Sequence, residues 1–179
     1  MKTVFFDIDS QLDFLYPAGA LYVPNAERIV PAIARLNRFA AAHGIPVVST
    51  TDAHAENDPE FSVWPPHCVA GTWGQRKAEA TLLDGKSQII VEKQTVDVFL
   101  SPDLVRVVER LNADRYVVYG VVTEYCVRYA ITGLLKTGKP VELATDAIRE
   151  IDPAAAQRTL SQFVAAGGRL TTVAEVTLR

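Results

Sequence analysis

Short apolar runs alternate with helix-periodic stretches along the whole chain, and this alternation constrains the fold more than any other feature. Runs rich in β-branched and aromatic residues predict six strands, at residues 4–8, 46–51, 89–91, 116–121, 141–144 and 170–173. Apolar residues spaced three and four apart predict helices at residues 26–43, 75–83, 104–111, 125–137 and 153–166. The alternation predicts an α/β fold, a Rossmann-like three-layer sandwich with helices on both faces of a six-stranded, mostly parallel sheet.

The composition indicates one globular domain spanning residues 1–179, with 49% hydrophobic and 22% charged residues. There are 18 basic and 21 acidic residues, a net charge of −3, and no basic cluster that would bind nucleic acid. No apolar run reaches the roughly 18 residues that a membrane span needs. The first apolar run is broken at Asp7, unlike a signal peptide, so we expect a cytoplasmic protein in which Cys68 and Cys126 are free thiols.

Polar side chains follow four consecutive predicted strands. Asp9 follows the first strand, Asp52 and His54 the second, Lys93 the third and Cys126 the fourth. Ligands of open parallel sheets bind at the carboxyl ends of the strands. We therefore expect these five side chains to meet at one edge of the sheet.

Cys126 is the candidate nucleophile, because it lies at a strand-to-helix turn. Unpaired N–H groups at a helix start favour a thiolate and could accept an oxyanion. A nearby carboxylate could take the thiol proton, and Lys93 could hold both anions in place. Spacing alone leaves Asp7 and Asp9 both open as the base. Taken singly, each residue is better explained without catalysis, Cys126 as a buried structural cysteine and Lys93 as a solvated lysine. The shared edge of the sheet is what favours the catalytic interpretation.

The segment from residue 52 to residue 73 fits no regular element, and loops of that length are usually functional or disordered. It contains an Asp52-x-His54 pair and His67, with Glu60 between them. Carboxylate and imidazole ligands suit zinc, manganese or iron better than calcium. The pattern alone supports a metal site and a plain capped loop equally well.

Three aromatic residues, Phe14, Trp64 and Tyr125, lie next to these polar residues in the sequence. Ordinary core packing would account for each of them. The alternative is an aromatic clamp around a flat substrate ring.

Two segments resemble the isochorismatase-like cysteine hydrolases. Residues 8–14, Ile-Asp-Ser-Gln-Leu-Asp-Phe, resemble the Asp-x-Gln-x-Asp-Phe motif of that superfamily. Residues 121–127, Val-Val-Thr-Glu-Tyr-Cys-Val, resemble its Thr-[Asp/Glu]-x-Cys-Val nucleophile turn. Within the superfamily, Asp-Ala-His at residues 52–54 and Trp-Pro-Pro-His-Cys-Val at residues 64–69 are similar to the nicotinamidases. The resemblance covers nearly the whole chain.

The resemblance implies a catalytic triad of Cys126, Asp9 and Lys93, in which Asp9 is the base because it aligns with the family motif. It also implies a cis peptide between Val121 and Val122. The N–H groups of Val122 and Cys126 would then bind the oxyanion.

The resemblance further implies one divalent metal ion, zinc before iron or manganese, bound by Asp52, His54 and His67. Many nicotinamidases have a further histidine where this chain has Glu60, which makes Glu60 the expected fourth ligand.

The implied reaction converts nicotinamide, and also pyrazinamide, to the carboxylic acid and ammonia through a cysteine thioester, as in pyridine nucleotide salvage. The substrate is then an aromatic carboxamide, with Phe14, Trp64 and Tyr125 around its ring. An amidase for another carboxamide and a non-catalytic binding member of the superfamily are the alternatives. Family members often assemble, which leaves a homo-oligomer open.

Overall fold

The computed structural model describes residues 1–85 and 87–178, and it confirms the predicted six-stranded α/β fold. The strands are β1 (Thr3–Ile8), β2 (Val47–Asp52), β3 (Gln88–Lys93), β4 (Arg115–Val121), β5 (Val141–Arg149) and β6 (Arg169–Thr171). Their order in the sheet is β3-β2-β1-β4-β5-β6, and every pairing between these strands is parallel. The winding direction therefore reverses between β1 and β4, and such a switch point is where open α/β sheets bind ligands.

Helices cover both faces of the sheet. They are α1 (Leu12–Leu15), α2 (Val30–Ala42), α3 (Pro102–Leu111), α4 (Arg128–Leu135), α5 (Pro153–Ala165) and α6 (Val173–Thr177). The buried side chains of α2 and α6 pack on one face, and those of α3, α4 and α5 on the other. Alternate residues of β1 serve both layers: Phe5 packs with α2, and Phe6 with the opposite layer. In the described part of the chain, no helix combines the length and apolarity required to cross a bilayer.

The helix predicted at residues 75–83 is wrong. The structure has a single 3₁₀ turn at Glu79–Thr81, preceded by an isolated antiparallel bridge between Gln11 and Lys77. The Ala78 N–H donates to the Ser10 carbonyl at 3.0 Å, so the segment satisfies its backbone against the loop after β1 rather than within a helix.

Other elements differ from the prediction in their bounds. The helix expected from residue 125 begins at Arg128, after a π-helical turn at Thr123–Val127. Strand β5 runs to Arg149, because its pairing with β4 resumes at Gly120 and Ile148 after a register shift between Val118 and Gly120. Helix α6 was not predicted, since five residues carry little periodicity.

A glycine allows β4 to approach β1 closely beside the candidate site. Gly120 pairs with Ile8 in register and has φ +118°. A Cβ atom on Gly120 would lie 2.1 Å from the Ile8 carbonyl oxygen, so a larger residue would force the strands apart. The close approach places the end of β4 next to the turn that begins at Asp9.

Candidate active site

Four neighbouring strands end at the same edge of the sheet, and their ends carry the polar residues singled out from the sequence. Strands β2 and β3 are in register at Asp52 and Lys93. The turns after β1 and β4 carry Asp9 and Cys126. All four residues are buried, with at most 7% of their surface exposed. The structure therefore brings together side chains that are more than 30 positions apart in the sequence.

Lys93 lies at the centre of this cluster. Its Nζ atom is 2.9 Å from Asp9 Oδ2 and 3.6 Å from Cys126 Sγ, and it also donates a hydrogen bond to Asp52 Oδ1. Burial lowers the pKa of Lys93, but Asp52 and Asp9 outweigh burial and raise that pKa well above its ordinary value. Lys93 is therefore a fixed positive charge that links both carboxylates to the thiol.

The thiol and the carboxyl group that would exchange a proton lie close together. One carboxylate oxygen of Asp9 lies within 4.8 Å of Cys126 Sγ. Burial raises the pKa of Cys126 well above that of an ordinary thiol, although Lys93 opposes the shift. Burial also raises the pKa of Asp9. Cys126 thus carries its proton at rest, with a buried carboxylate in reach to accept it.

The backbone explains why Asp9, rather than Asp7, faces the thiol. Strand β1 ends at Ile8, and Asp9 adopts a left-handed conformation with φ +47°. The Asp9 N–H donates to the Thr50 carbonyl at 3.1 Å, and Thr50 Oγ1 donates to Asp9 Oδ1 at 2.7 Å. Asp7 instead accepts from Lys77 on the side of the sheet covered by α2. Sequence reasoning did not identify Thr50 as a residue that orients the candidate base.

Asp52, His54 and His67 form a group that could bind a metal ion. One ligand atom from each lies within 4.8 Å of the others. The Nδ1 atoms of both histidines contact protein oxygens, Asp58 Oδ2 at 3.0 Å and the Pro65 carbonyl at 2.8 Å. His54 Nε2 is buried and has no hydrogen-bond partner, which is costly unless it binds something else. The donor set and this unpaired nitrogen fit a divalent cation.

Glu60 and Asp58 lie at the margin of this group. Glu60 is half-buried, with Oε1 3.9 Å from His67 Nε2, but it is not a member of the group within 4.8 Å. Asp58 caps the 3₁₀ turn Pro59–Ser62 and also accepts from His54. Sequence reasoning missed Asp58, although its position four residues after His54 and before a proline was a usable signal. Burial lowers the pKa of His54, but the neighbouring carboxylates of Asp52 and Asp58 outweigh burial and raise that pKa to about 9.

A second group of potential ligands, Asp9, Asp52 and Cys126, also lies within 4.8 Å. The Lys93 ammonium contacts all three side chains. This position therefore already holds a cation, and the group formed with the two histidines is the better candidate for a metal.

A small cavity, partly open to solvent, lies beside Cys126. The predicted aromatic residues Phe14, Trp64 and Tyr125 all line it. Trp64 and Tyr125 pack edge to face with ring centroids 5.1 Å apart. The other lining residues are Asp9, Leu21, Asp52, Glu60, His67, Val96, Val121, Val122, Cys126 and Ile151. Apolar walls with a few polar groups at one end suit a small flat ring.

The turn that carries Cys126 departs from regular geometry at two places. The Val121–Val122 peptide is cis, as the resemblance implied. Tyr125, inside the π-helical turn, has φ −119° and ψ −106°. Val122 and Tyr125 both line the cavity, as does Cys126.

The chain matches the isochorismatase domain family over residues 3–175. It is 26% identical to the nicotinamidase of Escherichia coli (strain K12) over 208 aligned positions, which cover 94% of this chain and 93% of that protein. The crystal structure of Pyrococcus horikoshii pyrazinamidase in complex with zinc is similar with a TM-score of 0.88 and 30% identity, covering 96% and 99% of the two chains. PnC1 from L. infantum in complex with nicotinate gives a TM-score of 0.84 and 26% identity, covering 97% and 93%. The chain therefore belongs to the isochorismatase domain family.

Proposed function

We propose that this protein is an amidohydrolase of the nicotinamidase type, which converts nicotinamide and pyrazinamide to the corresponding acid and ammonia. The observation that carries the proposal is the buried cluster of Asp9, Lys93 and Cys126 at the wall of a small aromatic cavity. The nicotinamidase and pyrazinamidase relatives support the same reaction at a carboxamide C–N bond. In this role the protein would return nicotinamide to pyridine nucleotide synthesis in the cytoplasm.

The first half of the reaction forms a thioester. Asp9 accepts the Cys126 proton while the sulfur attacks the carboxamide carbon, so that an S–C bond forms and the carbonyl oxygen becomes negative. We assign the N–H groups of Val122 and Cys126 to that oxygen. Asp9 then gives its proton to the amide nitrogen, the C–N bond breaks and ammonia leaves. Lys93 keeps its charge throughout and holds Asp9 and the sulfur in position.

The second half hydrolyses the thioester. Asp9 accepts a proton from water, whose oxygen attacks the acyl carbon, and the S–C bond breaks. The proton returns to the Cys126 sulfur, and the carboxylic acid is released.

Asp52, His54 and His67 would bind one divalent metal ion, with Glu60 at its margin. The unpaired His54 Nε2 supports this assignment, and the zinc complex of the Pyrococcus horikoshii relative supports zinc over iron or manganese. When bound, the cation would supply a Lewis-acidic contact for the pyridine nitrogen of the substrate. Phe14 and Trp64 then pack against the ring.

Ammonia release from three amides tests the proposal. Nicotinamide and pyrazinamide offer a ring nitrogen to the metal, whereas benzamide has the same shape without it. We expect kcat/KM for benzamide to be lower on the order of 100-fold, because a metal contact is worth several kcal/mol. Equal values for benzamide would argue against the ring-nitrogen contact. If none of the three amides releases ammonia, the protein either hydrolyses another carboxamide or has a non-catalytic role.

Replacing Asp58 with asparagine is expected to weaken zinc binding by about 10- to 100-fold, because a carboxylate on Nδ1 makes a histidine a stronger ligand. Asparagine preserves the hydrogen bond by which Asp58 caps the Glu60 N–H at 2.9 Å. Competition with a chromophoric chelator measures the Kd for zinc. Asp97→Asn is the matched control, since Asp97 makes the same kind of cap with the Phe99 N–H at 2.9 Å. Equal zinc affinity in Asp58→Asn and the wild type would contradict a role for Asp58.

A further inference from the structure

A second buried ion pair, between Lys77 and Asp7, lies next to the candidate base in the chain and has no part in the reaction described above. Lys77 Nζ is 2.7 Å from Asp7 Oδ2, and the two residues are 7% and 0% exposed. Neither side chain lines the cavity beside Cys126. Burying two charges is expensive, and replacing such a pair by uncharged residues is often neutral or stabilising. Stability alone is therefore a weak explanation for this pair.

Rigid elements of the fold fix the Asp7 end of the pair. Asn37 of α2 donates to Asp7 Oδ2 at 2.9 Å, and the Tyr119 hydroxyl of β4 donates to Asn37 Oδ1 at 2.6 Å. Ser49 of β2 donates to the same Asp7 oxygen at 3.4 Å. The carboxylate is thus tied to two strands and a helix.

The Lys77 end reaches the turn that follows β1. The ammonium donates to Ser10 Oγ, and the Lys77 backbone forms a bridge with Gln11. Lys77 therefore joins Asp7 and Ser10, which lie on either side of Asp9 in the chain. Asp9 itself has φ +47°, a conformation that residues with a side chain rarely adopt without support from their surroundings.

We infer that Lys77 is a positioning residue for Asp9. By joining Asp7 to Ser10, its ammonium fixes the turn that aims the Asp9 carboxylate at Lys93 and the thiol. The inference rests on the proposed function, because it assigns Lys77 a task in the proton transfer that Asp9 performs.

The double variant Asp7→Asn/Lys77→Met separates positioning from stability. It removes both charges together and leaves no uncompensated charge in the interior, and the new asparagine can still accept from Asn37. The link to Ser10 is lost. We expect a Tm close to that of the wild type and a kcat for nicotinamide that is lower by about 10- to 100-fold, because small displacements of a catalytic group are costly. The KM is expected to change by less than about threefold, since the cavity wall is intact.

Alkylation of Cys126 gives a second readout that does not depend on the substrate. Iodoacetamide reacts with the thiolate, so its rate reports how well Asp9 takes the thiol proton. Tryptic peptides separate Cys126, in residues 116–128, from Cys68, in residues 39–76. We expect alkylation of Cys126 to be about tenfold slower in the double variant. If the wild type releases no ammonia from nicotinamide, the proposed function fails, while the alkylation rates still decide the role of Lys77.

Glu142→Gln is the matched control, since it neutralises a buried carboxylate that pairs with two arginines near the start of β5, away from the candidate site. Glu142 Oε1 lies 3.6 Å from Arg115 and 3.5 Å from Arg169. This variant is expected to keep the wild-type kcat and alkylation rate. A folded double variant with either readout at the wild-type value overturns the inference. If the double variant does not fold, Ser10→Ala removes the hydroxyl group that accepts from Lys77. The kcat and the alkylation rate of Ser10→Ala then decide whether Lys77 positions Asp9.

Discussion

Replacing Cys126 with alanine is expected to abolish nicotinamide hydrolysis, lowering kcat on the order of 10⁴-fold or more. The sulfur forms the bond to the carboxamide carbon, and the other cysteine cannot substitute for it. Cys68 is fully buried, does not line the cavity, and burial raises the pKa of its thiol. Ammonia release measures the loss. Substantial turnover by Cys126→Ala would end the thioester mechanism.

The same variant tests where the metal binds. Asp52 belongs to two potential ligand groups, one with the two histidines and one with Asp9 and Cys126. If the histidines hold the metal, elemental analysis of Cys126→Ala will give the metal content of the wild type. Loss of metal in Cys126→Ala would indicate that the ion binds to the group of Asp9, Asp52 and Cys126 instead. Cys68→Ala is the control, and it should keep its metal and a kcat within about threefold of the wild type.

The covalent intermediate itself is also expected to be observable. Acid-quenched wild-type protein mixed with nicotinamide should show an added mass equal to nicotinamide less ammonia on the peptide of residues 116–128. The Cys126→Ala variant should show none. An adduct on the peptide that contains Cys68 would contradict the assignment of the nucleophile.

Parallel strands made the location of the site predictable, but they did not reveal how its parts are connected. Asp9 and Cys126 follow β1 and β4, and Lys93 is the last residue of β3, so the three residues must meet at one edge of the sheet. From the sequence, Lys93 is predicted to contact only the candidate base and the thiol. The structure shows that it also pairs with Asp52, so that one ammonium joins the triad to the metal ligands. Spacing along a chain carries no information on a contact of this kind.

The choice between Asp7 and Asp9 shows a second limit. Residues two apart in a strand point to the same face, so alternation alone cannot separate them. The separation arises because β1 ends at Ile8 and the φ of +47° at Asp9 turns its side chain toward Lys93. Asp9 in that conformation donates to the Thr50 carbonyl and accepts from the Thr50 hydroxyl, and Thr50 is 41 residues away in the sequence.

The wrong helix at residues 75–83 has a related cause. Apolar spacing there imitates a helical face, but Lys77 and Thr81 are buried by distant polar partners. Asn37 donates to the Thr81 carbonyl at 2.6 Å, and Lys77 reaches Asp7 and Ser10. Periodicity depends only on which residues are apolar. It cannot predict that a buried lysine pairs with a carboxylate on a distant strand.

Replacing Asp9 with asparagine is expected to lower kcat by about 10²- to 10⁴-fold, the usual contribution of a general base. Asparagine has the same shape, and its Oδ1 can still accept from Thr50, so the turn should be preserved. Lys93 keeps its hydrogen bond to Asp52 and so remains paired. Unfolding followed by circular dichroism checks the fold, and ammonia release gives kcat. A variant with more than about a tenth of the wild-type kcat would contradict the role of Asp9 as the base.

The pH dependence separates a lost base from a merely disturbed site. Asp9 accepts a proton only when it is ionised, so wild-type kcat/KM must rise with pH through the pKa of Asp9 and level off above it. Because burial raises that pKa, the rise lies above the value of about 3.9 of an ordinary aspartate. The variant Asp9→Asn lacks the carboxyl group whose ionisation causes this rise in kcat/KM. Its residual rate depends instead on spontaneous ionisation of the Cys126 thiol. Since burial raises the pKa of that thiol well above its ordinary value, the residual rate should climb continuously through neutral pH, without a plateau. An acidic limb and plateau retained in Asp9→Asn would assign the proton to another group.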